Sequence, residues 1–541
     1  MDENGSELVG SFDYIVVGAG TAGCLLANRL SADPGRKVLL LEAGGKDNWI
    51  WFHIPVGYLY SQGNPRADWC FQTEAEPGLN GRSLNYARGK VLGGCSAING
   101  MIYMRGQAAD YDHWRQLGNV GWSWDDVLPV FKKTEDHFAG ASGLHGAGGE
   151  WRVEEPRTTW DILDAFRDAA AEVGIPAIDD FNTGDNEGCA YFQVNQKKGI
   201  RWHAAKAFLN PARGRDNLTI LTHAQTERLT LDGKRVTGVQ FRQGNALKRA
   251  MANAEVILAA GAIGSPQILQ LSGIGPGALL TDLGIDVQHE LQGVGENLQD
   301  HLQLRLAYKV QNIDTLNERS QSLVGKAKMA LDYALFRRGP LSMAPSQLGA
   351  FAKSSNDFAI ANLQYHVQPL TLEKFGEPLH PFPAFTASVC NLRPESRGWV
   401  RIRSTDPGKA PEIQLNYLSA DKDKQVAADA IRLTRRIVLE TEAMRPYRPE
   451  EFMPGPKAAS GDELVKAAGD IGTTIYHPVS TCKMGSGADA VVDDQLRVHG
   501  IERLRIADAS IMPSITSGNT NSPTLMIAEK AAAMIRSRET T

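Results

Sequence analysis

The chain of 541 residues has no run of about 18 apolar residues, so no membrane-spanning helix is expected. Basic charge is in short supply. The 57 Lys and Arg face 62 Asp and Glu, a net charge of −5, which speaks against a nucleic-acid partner. Only six cysteines occur (Cys24, Cys70, Cys95, Cys189, Cys390 and Cys482). No two form C-x-x-C, so zinc and thioredoxin-like readings lack their spacing. The start, Met1–Glu7, is acidic and polar, without the basic and apolar stretches of a signal peptide. Reduced thiols in a cytoplasmic protein are therefore expected, with no transmembrane segment. Peripheral membrane association stays open, as does the oligomeric state, because no interface pattern stands out. No metal site is expected, and no internal repeat or low-complexity tract is found.

An apolar share of 42% at this length leaves room for two or three domains around a large core. The clearest local signal comes first. Phe12–Val17 (FDYIVV) reads as a buried parallel strand. Gly18-Ala19-Gly20-Thr21-Ala22-Gly23 follows at once, then a helix from Cys24 to Leu30, a Pro34-Gly35 turn, and a second strand, Lys37–Leu41, ending on Glu42. This is one βαβ unit with G-x-G-x-x-G at its first turn. Gly18 allows the tight turn, Gly20 lets the backbone approach a pyrophosphate, and Gly23 allows close helix–strand packing. The helix N-terminus then faces the phosphates. Glu42 is placed to accept hydrogen bonds from a ribose diol, and it would repel a 2′-phosphate. The motif alone does not choose between NAD and FAD.

Further along, residues 46–85 are irregular and rich in Trp, Tyr, Pro and Gly, as a lid or binding loop would be. Residues 160–175 have helical spacing. Leu218–Thr222, Arg235–Arg242 and Glu255–Ala259 read as strands, with a helix beginning at Ser265. From about 306 to 470 strand-like pieces such as Ile360–Val367, Ala384–Leu392 and Trp399–Arg403 suggest a second domain on an antiparallel sheet. A short strand, Leu504–Asp508, and a terminal helix, Thr524–Arg536, close the chain.

Several phrases carry a resemblance. They are Gly89–Gly100 (GKVLGGCSAING), Gly261–Gly275 (GAIGSPQILQLSGIG), Gly293–His301 (GVGENLQDH) and Arg393–Gly398 (RPESRG). Toward the end come Tyr476-His477-Pro478, Thr481–Gly485 (TCKMG), Asp508–Pro513 (DASIMP) and Asn519–Thr524 (NTNSPT). In these phrases and their order the chain resembles the glucose–methanol–choline (GMC) oxidoreductases, in the style of bacterial choline-dehydrogenase-like proteins.

The resemblance implies an α/β fold: a Rossmann-like FAD-binding domain with an inserted substrate domain on an antiparallel sheet flanked by helices. The implied division gives 1–155, 216–305 and 472–541 to the FAD domain, and 156–215 and 306–471 to the substrate domain. Gly18, Gly20, Thr21, Ala22, Gly23, Glu42 and Ala43 match positions at the ADP half of FAD. Gly94, Asn99, Gly100 and Met101 match the segment beside the isoalloxazine. Asp508, Ala509, Asn521 and Pro523 match the C-terminal segment that closes over the flavin. Some members attach FAD through a His in the first signature. Ile98 stands at that position and carries no nucleophile, so non-covalent FAD is expected. A second departure is His203, where the family pattern expects Ser; a substrate-side role stands beside a structural one.

The implied chemistry is oxidation of a primary alcohol to an aldehyde, the hydride passing to flavin N5. By resemblance His477 is the base, a residue type suited to proton transfer near neutral pH. Asn521 matches its partner, holding the substrate oxygen. The electron acceptor is a quinone or another carrier, with O₂ and an oxidase reaction as the alternative. A non-redox member, such as a hydroxynitrile lyase or fatty-acid photodecarboxylase, is the alternative of another class. Cys482 reads as a packed small residue rather than a nucleophile, and Asp300 and His301 as structural rather than metal ligands. Trp49, Trp51, Trp69 and Tyr476 could cage a quaternary ammonium, although lid packing is the plainer role. Substrate lining is expected from 46–85 and around Met101, Gln364 and His366.

Overall fold

The computed structural model describes residues 6–373 and 377–537. The polar start at Met1–Gly5 lies outside them. The β-branched run at the start of the chain forms part of strand Glu7–Val17, whose Ile15 and Val16 are wholly buried. It lies between two parallel partners, Val38–Leu41 and Ala246–Leu258. Leu218–Leu221 extends the sheet past Val38–Leu41. Ala246–Leu258 is shared: its first half pairs antiparallel with Arg235–Gln243, and its end pairs parallel with Leu504–Ile506. Ala224–Asp232 completes the antiparallel arm. Strands buried on both faces read as continuous apolar runs, and the helix Thr21–Leu30 supplies cover on one side. That helix packs in turn on the terminal helix Asn521–Ser537. Arg29 joins the two by binding Glu529 as well as Glu150.

The second sheet is antiparallel, in the order Glu450–Met453, Leu302–Lys309, Ala384–Asn391, Leu363–Gln368, Leu348–Ala352, Gly188–Tyr191. Gly472–Thr474 pairs with the start of Leu302–Lys309. That strand crosses the boundary expected at 305/306, and Gly472–Thr474 falls past the one expected at 471. The helices Asp161–Glu172 and Asp421–Leu439 pack against this sheet and each other. The second of these lies in a stretch whose sequence suggested mainly strands. Its Val426, Ala430, Ile431, Ile437 and Val438 are buried at helical spacing.

Alternation along the second sheet divides its two faces. Leu363, Tyr365 and Val367 enter the core with Leu302, Leu304 and Leu306. Gln303, Arg305, His366 and Gln368 turn the other way and floor a cavity between the two sheets. All six cysteines are free thiols. Among the described residues no helix is long and apolar enough to cross a membrane.

Candidate active site

The cavity, about 1020 Å³, joins the carboxyl ends of the first sheet's strands to the floor of the second. At the first sheet the glycine turn makes room. Gly18 has φ +96°, where only glycine is at ease. A Cβ on Gly23 would fall 1.8 Å from the Gly18 carbonyl oxygen, so this glycine serves packing and does not line the cavity. A Cβ on Gly20 would meet no protein atom within 4 Å. Space is therefore left there for a ligand. Glu42 ends the second strand, accepting the Ala19 N–H at 2.9 Å and the Gly44 N–H at 2.8 Å. Burial raises its carboxyl to about 7. The Thr21 hydroxyl donates to Asn521 Oδ1 at 2.7 Å. This leaves the buried Asn521 Nδ2, on a residue lining the cavity, without a partner. An open glycine turn, a helix N-terminus, a strand-end carboxylate and an unsatisfied buried amide fit a dinucleotide of the FAD type.

At the second sheet three histidines meet. His477 follows Tyr476, whose φ of 67° is a strained conformation for a large side chain. Two contacts hold that turn: the His477 N–H donates to Asp300 Oδ1 at 2.6 Å, and Arg88 donates to the Tyr476 carbonyl at 2.6 Å. Asp300 is itself fixed by the hydroxyls of Thr474, Tyr86 and Tyr417. His301 Nε2 lies 3.1 Å from the Leu392 carbonyl oxygen. A carbonyl only accepts, so Nε2 carries the hydrogen. Burial pushes His301 down to about 4, so its ring is neutral and Nδ1 holds a bare lone pair. His477 Nδ1, 3.1 Å away, must then be the donor. Its Nε2 is left as the acceptor, and Asn519 Nδ2 lies 3.1 Å from it. Asn519 Oδ1 accepts from Gln364 Nε2 at 3.4 Å, which orients the amide. Burial holds His477 well below the ordinary histidine value, helped by the neighbouring His301 and His366. The result is a neutral imidazole on the cavity wall with its basic nitrogen beside an amide donor.

The amide partner differs from the one expected. Asn519, not Asn521, meets His477; Asn521 is committed to Thr21 at the glycine turn. Two asparagines in one NTNSPT phrase fit the same pattern, and only the fold separates them. Gly18, Gly20, Thr21, Ala22, Glu42, Ala43, Gly94, Asn99, Gly100, Met101, Asp508 and Ala509 all line the cavity. Pro523 does not, being buried in the first turn of the terminal helix. Asp508 accepts from the Gly261 N–H and the Ser265 hydroxyl, pinning the start of helix Gly261–Leu271 against the cavity. The roles of His301 and Gln364 in orienting the pair escaped sequence reasoning. The GVGENLQDH phrase was the one available signal for His301.

Other expectations are modified. Met101 and His366 line the cavity, whereas Gln364 acts from behind through Asn519. Trp69 and Tyr476 line it, but Trp49 packs on Phe52 and Trp51 stacks on Tyr60, so no four-sided aromatic cage forms. Cys482 is fully buried, with its thiol pushed far up by burial. His203 is wholly buried, 3.8 Å from Asp47, and does not reach the cavity.

Comparison with known proteins identifies the family. The GMC oxidoreductase N-terminal model matches residues 12–303 and the C-terminal model residues 394–528. The chain is 42% identical over 534 residues to an oxygen-dependent choline dehydrogenase of Serratia proteamaculans (strain 568), covering 97% of this chain and 96% of that one. It is 40% identical over 528 residues to an alcohol dehydrogenase [acceptor] of Pseudomonas putida, covering 97% and 95%. The crystal structure of pyridoxine 4-oxidase from Mesorbium loti superposes with a TM-score of 0.89 at 32% identity, covering 98% and 100%. These relatives are all named for redox reactions, so the lyase and decarboxylase readings gain no support. The chain belongs to the GMC oxidoreductase family and is an FAD-dependent oxidoreductase acting on the CH–OH group of alcohols.

Proposed function

We propose that the chain oxidises a neutral primary alcohol to its aldehyde, with His477 taking the hydroxyl proton and Asn519 holding the oxygen. The observation that carries this reading is the bare Nε2 of His477 beside the Asn519 amide on the cavity wall. When bound, FAD supplies the two-electron acceptor for the substrate carbon. Gly18, Gly20, Thr21, Glu42 and Asn521 would hold its dinucleotide half. Gly94, Asn99, Gly100, Met101, Asp508 and Ala509 would border the rest. The substrate hydroxyl gives its proton to His477 Nε2 and accepts from Asn519 Nδ2, so charge growing on the oxygen meets a fixed donor. The proton arriving on Nε2 makes an imidazolium whose Nδ1–H is already held by His301, so the ring need not turn.

Choline and pyridoxine, named for two of the relatives, each carry a –CH₂OH group. A neutral alcohol is favoured over choline because the aromatic cage is incomplete. Non-covalent FAD is supported by Ile98, an unreactive side chain on the cavity wall. The acceptor is a quinone or other carrier, or O₂, and the free thiols suit a cytoplasmic setting.

The test uses the yellow holoenzyme without oxygen, a panel of primary alcohols, and flavin absorbance near ~450 nm. Bleaching by at least one alcohol is expected; no bleaching by any contradicts the reading. Recovery within seconds of admitting air marks an oxidase, and slow recovery a dehydrogenase with another acceptor. Acid precipitation should leave the colour in the supernatant; a yellow pellet means a covalent flavin.

A further inference from the structure

One helix stands apart from the packing logic of the rest. Leu323–Phe336 is 14 residues long, yet Tyr333 is its single buried residue. The Tyr333 hydroxyl donates to the Gly199 carbonyl at 3.0 Å and ties the helix to the body. Leu323 is 83% exposed, Val324 79%, Leu335 63% and Leu331 59%. At about 3.6 residues per turn these four fall on one face, together with Ala327, Ala330 and Ala334. Nothing among the described residues covers this face. A short helix in water gains most of its stability from burying such a face, and this one buries almost nothing.

Its charges are placed to match. Lys326 and Lys328 are exposed and project from the two edges of the apolar face. Arg337 and Arg338 follow at its C-terminal end, and Asp332, paired with Arg338, lies on the far side. Lys326 and Lys328 thus edge the apolar face, while Arg337 lies over Tyr333 and Arg338 is paired with Asp332, in a chain whose net charge is −5. The local sign is opposite to that of the whole molecule. The turn that follows, Pro340–Ser342, packs on Pro55–Gly57. That segment continues into Tyr58 and Gln62, which line the cavity, and carries exposed Ile50, Leu59 and Tyr60 nearby.

We propose that Leu323–Phe336 is a membrane-docking helix that lies in the interface of an anionic bilayer, its apolar face among the acyl chains and Lys326 and Lys328 at the headgroups. An apolar stripe edged by lysines is the pattern of a helix lying in the plane of a bilayer. Lysines beside an anionic surface are drawn to it, an attraction that salt screens. The catalytic residues lie outside this helix, so docking leaves them untouched.

The test is co-sedimentation of the holoenzyme with vesicles of phosphatidylglycerol and phosphatidylcholine, compared with phosphatidylcholine alone. The wild type should sediment with the mixed vesicles and release as salt is raised. The double variant Leu331→Glu/Leu335→Glu should bind at least about tenfold more weakly, and Lys326→Glu/Lys328→Glu should lose its preference for the anionic lipid. Both should keep wild-type FAD content and flavin reduction, which excludes misfolding as the cause. Three results would overturn the proposal. The wild type stays in the supernatant, or it binds neutral vesicles equally well. Alternatively, it is a dimer in solution that Leu331→Glu/Leu335→Glu splits, which makes the face a contact between copies.

Discussion

The Nδ1 atoms of His301 and His477 stand 3.1 Å apart, and the Leu392 carbonyl decides which of them donates. The two neutral rings are thereby held in opposite tautomers, His301 with its hydrogen on Nε2 and His477 with its hydrogen on Nδ1. His301→Ala removes the acceptor that fixes the base. The rate of flavin reduction should fall by about tenfold to a hundredfold, while FAD content and the apparent Kd for the alcohol stay near wild type. A loss confined to Kd, with the limiting rate unchanged, contradicts the positioning role.

Asn519 and Asn521 separate two tasks within one phrase. Asn519→Ala should slow flavin reduction by about 10²-fold, as expected for one lost oxyanion donor, and keep FAD. Asn521→Ala breaks the contact to Thr21 and should weaken FAD retention more than reduction of the flavin that remains. Stopped-flow reduction and the ratio of flavin to protein absorbance measure both. The reverse pattern would return the catalytic role to Asn521.

The glycine turn makes an equally sharp contrast. A Cβ at Gly23 lands 1.8 Å from a backbone oxygen, so Gly23→Ala should fail to fold. A Cβ at Gly20 meets no protein atom within 4 Å. Gly20→Ala should therefore fold, with a near-wild-type melting curve for the apoprotein, and yet purify colourless. A yellow Gly20→Ala protein would show that the cofactor does not approach there.

Acid should destabilise the protein through its buried histidines. Burial pushes His301 to about 4 and His366 to about 3, and His477 moves the same way. Each stays neutral when folded and takes up a proton when unfolded, below the ordinary value of 6.5. Their contribution is fully present above pH 6.5 and is lost as pH falls toward 4, because the unfolded chain binds more protons in that window. His301 alone removes about 3 kcal/mol by the bottom of the window. Glu42, raised to about 7, works in the opposite direction, so the histidine share is read as a difference. Wild type should lose more stability below pH 6.5 than His366→Gln, and equal losses contradict neutral burial.

The parts of this fold that were legible are those set by local chemistry. A β-branched run, a glycine turn, a helix and a second apolar strand specify the βαβ unit with no reference to the rest of the chain. The cavity floor was partly legible, since His366 sits in an alternating strand. Long-range contacts were not. Nothing local distinguishes Asn519 from Asn521, because their partners, His477 and Thr21, come from distant segments. The same holds for His301, whose function depends on a carbonyl at Leu392. Helix Leu323–Phe336 went unmarked for another reason: its apolar residues do not face the core that the periodicity argument assumes.

The most direct test of the central claim is anaerobic flavin reduction in His477→Ala with an alcohol that bleaches the wild type. The variant should bind FAD normally and reduce it more slowly by about 10²–10⁴-fold. Reduction at the wild-type rate would mean that His477 is not the base, and that the tautomer chain from Leu392 to Asn519 serves only the fold.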